Sequence, residues 1–199
     1  MTDTTVRSWS LDTVAARQRS IAEVESGNDI QRGYESEIIP GLLQTRAYAG
    51  AVIATCLELG GHRDDDVEDA VAARVGRQVA WRASGGRGHF LIAEQALYTG
   101  VGSREVMIEQ LRALRELPAG TTLGIIPRTA PFLPVTAFTL YRDRVALETL
   151  TAGVYRTDAT ELARYREVFA RLAEQSATGE AATALIITAI NAHHHDDTN

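Results

Sequence analysis

The stretch "ESEIIPGLLQTRAYAGAVI", Glu35 to Ile53, constrains the fold more than any other part of the chain. Ile38 and Ile39 form an extended apolar pair that runs straight into Pro40–Gly41. Proline has no amide hydrogen and a fixed φ, so a strand stops there, whereas the same ring suits the first turn of a helix. Leu42, Leu43, Tyr48, Ala49, Val52, Ile53 and Leu57 then make a broad apolar stripe that runs down to Gly60–Gly61. A helix apolar over so much of its circumference belongs in a core, so other elements must cover it.

The 199 residues, 45% of them hydrophobic, supply that cover as one sizeable domain or two small ones. Upstream, "LDTVAARQRSIAEVESG" reads as a helix from Leu11 that closes at Gly27, and "NDIQRGYESEII" reads as extended. Asp64, Asp65 and Asp66 place negative charge at the start of a third helix, where the helix dipole favours it. That helix has a valine face (Val67, Val71, Val75, Val79) and a second face of Arg74, Gln78 and Trp81 with Arg77 beside it. A strand opens at His89, and Ser103 caps a helix bearing Met107, Leu111, Leu114 and Leu117. "TTLGIIP" is a short buried strand, and Val135 to Thr157 reads as a hairpin turning at Arg142–Asp143–Arg144. Asp158 and Glu161 resemble a capping box, and a last helix carries Leu185, Ile186 and Ile190. The order predicts an α+β fold: one compact domain over residues 11–190, a mostly antiparallel sheet packed with helices from both ends of the chain. Residues 1–10 and 191–199 are expected to be disordered.

Composition removes several functions. The 20 basic residues are all arginine, so neither a Schiff-base lysine nor a P-loop lysine exists. A net charge of −6 weighs against gripping DNA unaided, since phosphate neutralisation dominates that affinity. No apolar run is long enough to span a membrane, and "MTDTTVRSWS" lacks the form of a signal peptide. Cys56, the single cysteine, fits a reducing cytoplasm and reads as a core residue. No Ser-His-Asp, HExxH, GxGxxG or CxxC pattern is present, and no cofactor is implied. His193, His194 and His195 with Asp196 and Asp197 read as a solvated tail, so no metal site is expected.

The remaining candidates are polar groups at element ends. Arg74, Arg77 and Gln78 read either as a fork for a carboxylate or phosphate, or as a surface salted to acids such as Asp69 or Glu94. Glu94 lies where a strand becomes a helix; Glu148 lies between Leu147 and Thr149, on the face of Ala146 and Leu150, and is expected to be partly buried beside a third-helix arginine. Glu94, Glu148 and His89 are the catalytic candidates. Tyr34, Tyr98, Tyr141 and Tyr155 flank strands and, with Trp81, are candidate cavity walls or simple core.

Read together, "IIPGLLQTRAYA", "ARVGRQ", "LIAEQALYTGVG", "MIEQLRAL", "TLGIIP", "FTLYRDRVALET" and "YREVFARLAEQS" occur in a familiar order, and the chain resembles the actinobacterial DUF5753 domain. The resemblance runs from about Leu11 to Ile190. In that family the domain ordinarily follows a DNA-reading helix-turn-helix in antitoxin-type and developmental regulators. None of ordinary length fits before Leu11, so direct nucleic-acid contact is not expected. The resemblance implies an effector domain that binds a small-molecule ligand or a small partner protein. The alternative is a cofactor-independent cyclase, isomerase or hydrolase of natural-product biosynthesis, and a third arrangement is a homodimer formed through exposed apolar surface.

Overall fold

The computed structural model describes residues 4–8, 14–25, 30–59, 67–131, 136–149 and 152–195. In chain order these form β1 (Thr4–Ser8), α1 (Val14–Glu25), β2 (Ile30–Glu35), a 3-10 turn (Gly41–Leu43), α2 (Arg46–Leu59), α3 (Val67–Ala83) and β3 (Arg87–Ala93). A second 3-10 turn (Glu94–Leu97), α4 (Arg104–Ala113), β4 (Thr121–Ile126), β5 (Phe138–Leu140), β6 (Val145–Glu148), β7 (Ala152–Arg156), α5 (Ala159–Glu174) and α6 (Gly179–His195) follow. One seven-stranded sheet runs in the order β1-β7-β6-β5-β2-β3-β4. The fold is α+β.

Period-two alternation divides the sheet into two faces. On one, Tyr34, Leu91, Ile126, Phe138 and Leu140 pack under Phe169 and Leu172 of α5. On the other, Phe90, Ile92, Leu123 and Ile125 meet Ile39, Leu42, Tyr48, Leu111 and Ile186, so the Pro40 segment, α2, α4 and α6 share this core. All seven residues of the expected apolar stripe are buried. They do not form one helix, because Gln44 is extended between the 3-10 turn and α2.

That break exposes main-chain groups inside the protein, and side-chain amides satisfy them. Gln110 accepts from the Thr45 N–H at 2.7 Å and donates to the Leu43 carbonyl at 2.9 Å. Gln78 donates to the carbonyls of Gly41 and Gln44 at 2.8 and 2.9 Å. Gln44 donates to the Ile39 carbonyl at 2.7 Å, and the Tyr48 hydroxyl accepts the Ile39 N–H at 3.2 Å.

Several expectations give way to tertiary packing. Val79 is 57% exposed, and α3 instead turns Ala70, Val71, Arg77, Gln78 and Trp81 inward. The single hairpin is a three-stranded meander, β5-β6-β7. Its outer strand pairs antiparallel with β1, from Thr4↔Arg156 to Ser8↔Ala152, so part of the expected disordered N-terminus is a sheet edge. The sheet is mostly antiparallel, as expected: four of its six pairings are antiparallel, and only β2, β3 and β4 are mutually parallel, as crossover helices between successive strands permit. α6 reaches His195, and His193 Nε2 lies 2.9 Å from the Leu97 carbonyl oxygen, so the tail is anchored rather than frayed up to that point. Cys56 is exposed rather than in the core. Gly27, Gly60, Gly61, His62, Asp64, Asp65, Asp66, Leu150, Asp196 and Asp197 lie outside the described residues. Among the described residues no helix is long and apolar enough to cross a membrane.

Candidate functional site

Beside the Pro40 turn the larger core opens into a cleft of about 90 Å³. Alternation along β2 sends Gln31, Gly33 and Glu35 to this side while Tyr34 goes to the other. α1 ends in Glu25, and α3 supplies Arg74 and Arg77, one helical turn apart. Gln44 comes from the turn itself, Tyr141 from the end of β5 and Glu148 from the end of β6, over an apolar floor that includes Leu42 and Phe90. Gly41 lets the guanidinium come close: a Cβ on it would stand 2.6 Å from Arg77 Nη2, which would have to shift.

The site holds charge at low exposure. Arg77 Nε lies 3.5 Å from Glu25 Oε2, and both side chains are under a tenth exposed, at 7% and 5%. The pair has no hydrogen bond between those atoms: Glu25 Oε2 and Arg77 Nε are both buried without a hydrogen-bonding protein partner, as is Gln31 Oε1. Arg74 donates to neutral oxygens, from Nη1 to Gln44 Oε1 at 2.7 Å and from Nε to Gln18 Oε1 at 3.2 Å.

Desolvation shapes the titration of this group. Burial raises the Glu25 carboxyl above its ordinary range, against the pull of Arg77. Glu35 is pushed up to about 8 by burial first and by the like charge of Glu148 second, with Arg74 opposing. Burial, and then the charge of Arg77, lowers Arg74 to about 10, and Tyr141 is raised well above the usual phenol range by burial and by Glu25. A carboxyl whose folded value exceeds its unfolded one binds a proton in the folded state across the interval between them. Stability from Glu35 is therefore greatest below pH 4.5 and falls as pH rises to about 8. Urea denaturation from pH 4.5 to 8.5 should show that fall, and Glu35→Gln should flatten much of it. The variant should match wild type at the acid end and exceed it by about 2 kcal/mol at the alkaline end, after discounting for the partial exposure of the residue. Parallel pH profiles for the two proteins would remove Glu35 as the source.

The structure brings together Arg74, Arg77, Tyr141 and Glu148 from the sequence candidates and disperses the others. Glu148 stands exposed at the rim rather than partly buried, because its cross-strand neighbour is Gly153, which has no side chain to cover it. Gln78 is spent on main-chain carbonyls, and Trp81 lines a neighbouring pocket. Tyr155 packs with Tyr141 and Ala146 and does not line the cleft. Tyr34 belongs to the opposite face of the sheet. His89 is also away from the cleft, edge-on to Phe169 at 5.1 Å, and burial then Arg32 lower its pKa. Glu94 accepts from the Arg128 main chain at 2.8 Å and from its Nε at 3.2 Å. Tyr98 lies under the Arg128 guanidinium at 4.7 Å and stacks on His193. These contacts fasten the segments around Glu94, Tyr98 and Arg128 to one another and to α6. Arg74 and Arg77 pair with neither Asp69 nor Glu94, because α3 turns them towards the sheet.

Sequence reasoning missed Glu25, Gln31, Glu35 and Gln44. "IQRGYE" carried a usable signal, since Gln31, Gly33 and Glu35 put no apolar side chain on one face of a strand whose other face holds Tyr34. Nothing local distinguishes Glu25 from any glutamate near a helix end. Among the described residues no group of three or more His, Cys, Asp or Glu is placed to hold a metal ion.

The family model "Domain of unknown function (DUF5753)" matches residues 18–188. No curated protein matches the chain. Similar solved structures include a phospholipase D family member, Nuc from Salmonella typhimurium, at 12% identity over 89% of this chain and 99% of that one, with a TM-score of 0.48. Another is TrmBL2, titled an archaeal chromatin protein with a novel mode of DNA binding, at 11% identity over 88% of this chain and 55% of that one, with a TM-score of 0.43.

Proposed function

The chain belongs to the DUF5753 family, and we propose that it is a ligand-binding effector domain that takes a small polar molecule into the cleft beside the Pro40 turn. One observation carries this reading. Glu25 Oε2, Gln31 Oε1 and Arg77 Nε, which belong to residues at least nine-tenths buried, lack hydrogen-bonding protein partners around a single opening. Each buried polar atom left unpaired costs about 1–3 kcal/mol, and an occupant that supplies the partners recovers part of that. Both hydrogen-bonding senses are on offer, two acceptors and one donor, so the occupant presents donors and an acceptor.

Thermal-shift screening of the purified protein against polar metabolites tests the reading. A bound compound at a hundred times its dissociation constant stabilises by about 2.7 kcal/mol, a rise of roughly 5–10 °C for a domain this size. Arg74→Gln, which removes the guanidinium beside the cleft, should abolish that rise. If no compound stabilises wild type, or if every compound stabilises the variant equally, the cleft is not a binding site.

A catalytic reading has one observation in its favour. A carboxyl held near 8 beside Glu148 and Tyr141 can both give and take a proton at neutral pH. Under that reading Glu35→Gln would remove turnover of a cleft-bound compound while preserving its thermal shift.

A further inference from the structure

We infer that the polar cleft is one half of a two-compartment site, and that its ligand is a zwitterionic α-amino acid whose apolar side chain reaches past Glu25 and Arg77 into a second pocket. This rests on the binding role proposed for the cleft. The second pocket has a volume of about 270 Å³ and is lined by Ala22, Glu25, Arg77, Ala80, Trp81 and Ser84. Glu25 and Arg77 line both spaces, so that pair is the partition between them. A 3.5 Å contact without a hydrogen bond leaves each partner able to turn to a ligand.

The two compartments differ in chemistry. Beyond the partition the wall is an indole and two alanine methyls. Trp81 is fixed there, edge-on to Phe90 at 6.3 Å, while its carbonyl accepts from Ser84 Oγ and the Gly86 N–H, both at 2.9 Å. Gly86 must remain glycine for the ring to stay, since a Cβ would lie 2.5 Å from the indole. Phe90 in turn belongs to the floor of the polar cleft, so the apolar surface is continuous. On the polar side Glu25 Oε2 and Gln31 Oε1 accept, which suits an ammonium, whereas Arg77 Nε, with Arg74 nearby, donates, which suits a carboxylate. An amine or an acid alone satisfies half of this set. Both signs of charge line the cleft, Arg74 and Arg77 against Glu25 and Glu148, so a ligand that carries both signs meets a counterpart for each.

Calorimetric titration with L-phenylalanine, glycine, phenethylamine and N-acetyl-L-phenylalanine tests the assignment. The aryl group should make L-phenylalanine bind about tenfold or more tightly than glycine. Phenethylamine, which lacks the carboxylate, and the N-acetyl compound, which lacks the ammonium, should each lose about tenfold or more relative to L-phenylalanine. Ala80→Trp, a change at an exposed helical position that fills the second pocket, should reduce L-phenylalanine to the affinity of glycine. Equal binding of glycine and L-phenylalanine in wild type, lost in Arg74→Gln, would overturn the second compartment while sustaining the polar cleft. Phenethylamine binding as tightly as L-phenylalanine would overturn the zwitterion assignment. No binding by any of the four overturns the inference as a whole, and the cleft reading is then decided by the metabolite screen alone.

Discussion

Replacing Arg77 with alanine should lower the melting temperature by roughly 10 °C. The guanidinium is 7% exposed, and its charged neighbour Glu25 is 5% exposed. Removing one member of such a pair strands the other and costs about 3–5 kcal/mol. The void beside Gly41, where Arg77 Nη2 now lies, adds a packing loss. Charge and volume can be separated. Glu25→Gln combined with Arg77→Met removes the buried charges and keeps most of the bulk, so this double variant should recover most of the lost stability. Scanning calorimetry on the three proteins decides it. A single variant that melts within 2–3 °C of wild type, roughly 1 kcal/mol on this scale, would show that the pair is solvated rather than enclosed.

Gln110→Leu should cost about 3 kcal/mol, although the two side chains have similar bulk. Gln110 is fully buried on α4 and is the hydrogen-bond partner of both the Thr45 N–H and the Leu43 carbonyl, 65 and 67 residues earlier in the chain. Leucine fills the space but leaves a donor and an acceptor inside the protein with nothing to pair with. Gln110→Glu is the sharper comparison. Its carboxylate still accepts from Thr45 but confronts the Leu43 carbonyl oxygen with negative charge, so it should be no better than leucine at pH 8 and should improve as the carboxyl gains a proton in acid. Urea denaturation at pH 8 and pH 5 measures both variants. A Gln110→Leu protein as stable as wild type would mean that the main chain at the turn finds other partners.

These two residues also show why part of the molecule was legible and part was not. The apolar stripe from Leu42 to Leu57 could be read because burial there is a one-dimensional pattern: each side chain is apolar, and its neighbours in sequence are its neighbours in space. The caps were legible for the same reason. Ser103 Oγ accepts from the Val106 N–H, and Asp158 accepts from Thr160 and Glu161, all within three residues. Glu161 shows the limit, since its carboxylate pairs with Arg156 instead of completing a capping box. α3 shows it more strongly. Its valines suggest one buried face and its arginine–glutamine pair a wet one, yet Arg77 and Gln78 face inward because the Pro40 turn and Glu25 offer them partners there.

By itself the sequence determined that the chain alternates short strands with helices, that an apolar segment broken at Pro40 lies in the core, and that arginine alone carries its positive side-chain charge. Each is a property of composition or of local periodicity. The parallel pairing of β2, β3 and β4, the return of β1 to the sheet edge and the meeting of Glu25 and Glu35 with Arg74 and Arg77 at one cleft were decided only by tertiary structure. A charged side chain is held inside when distant elements supply its partners, and no local stretch of sequence encodes which elements those will be.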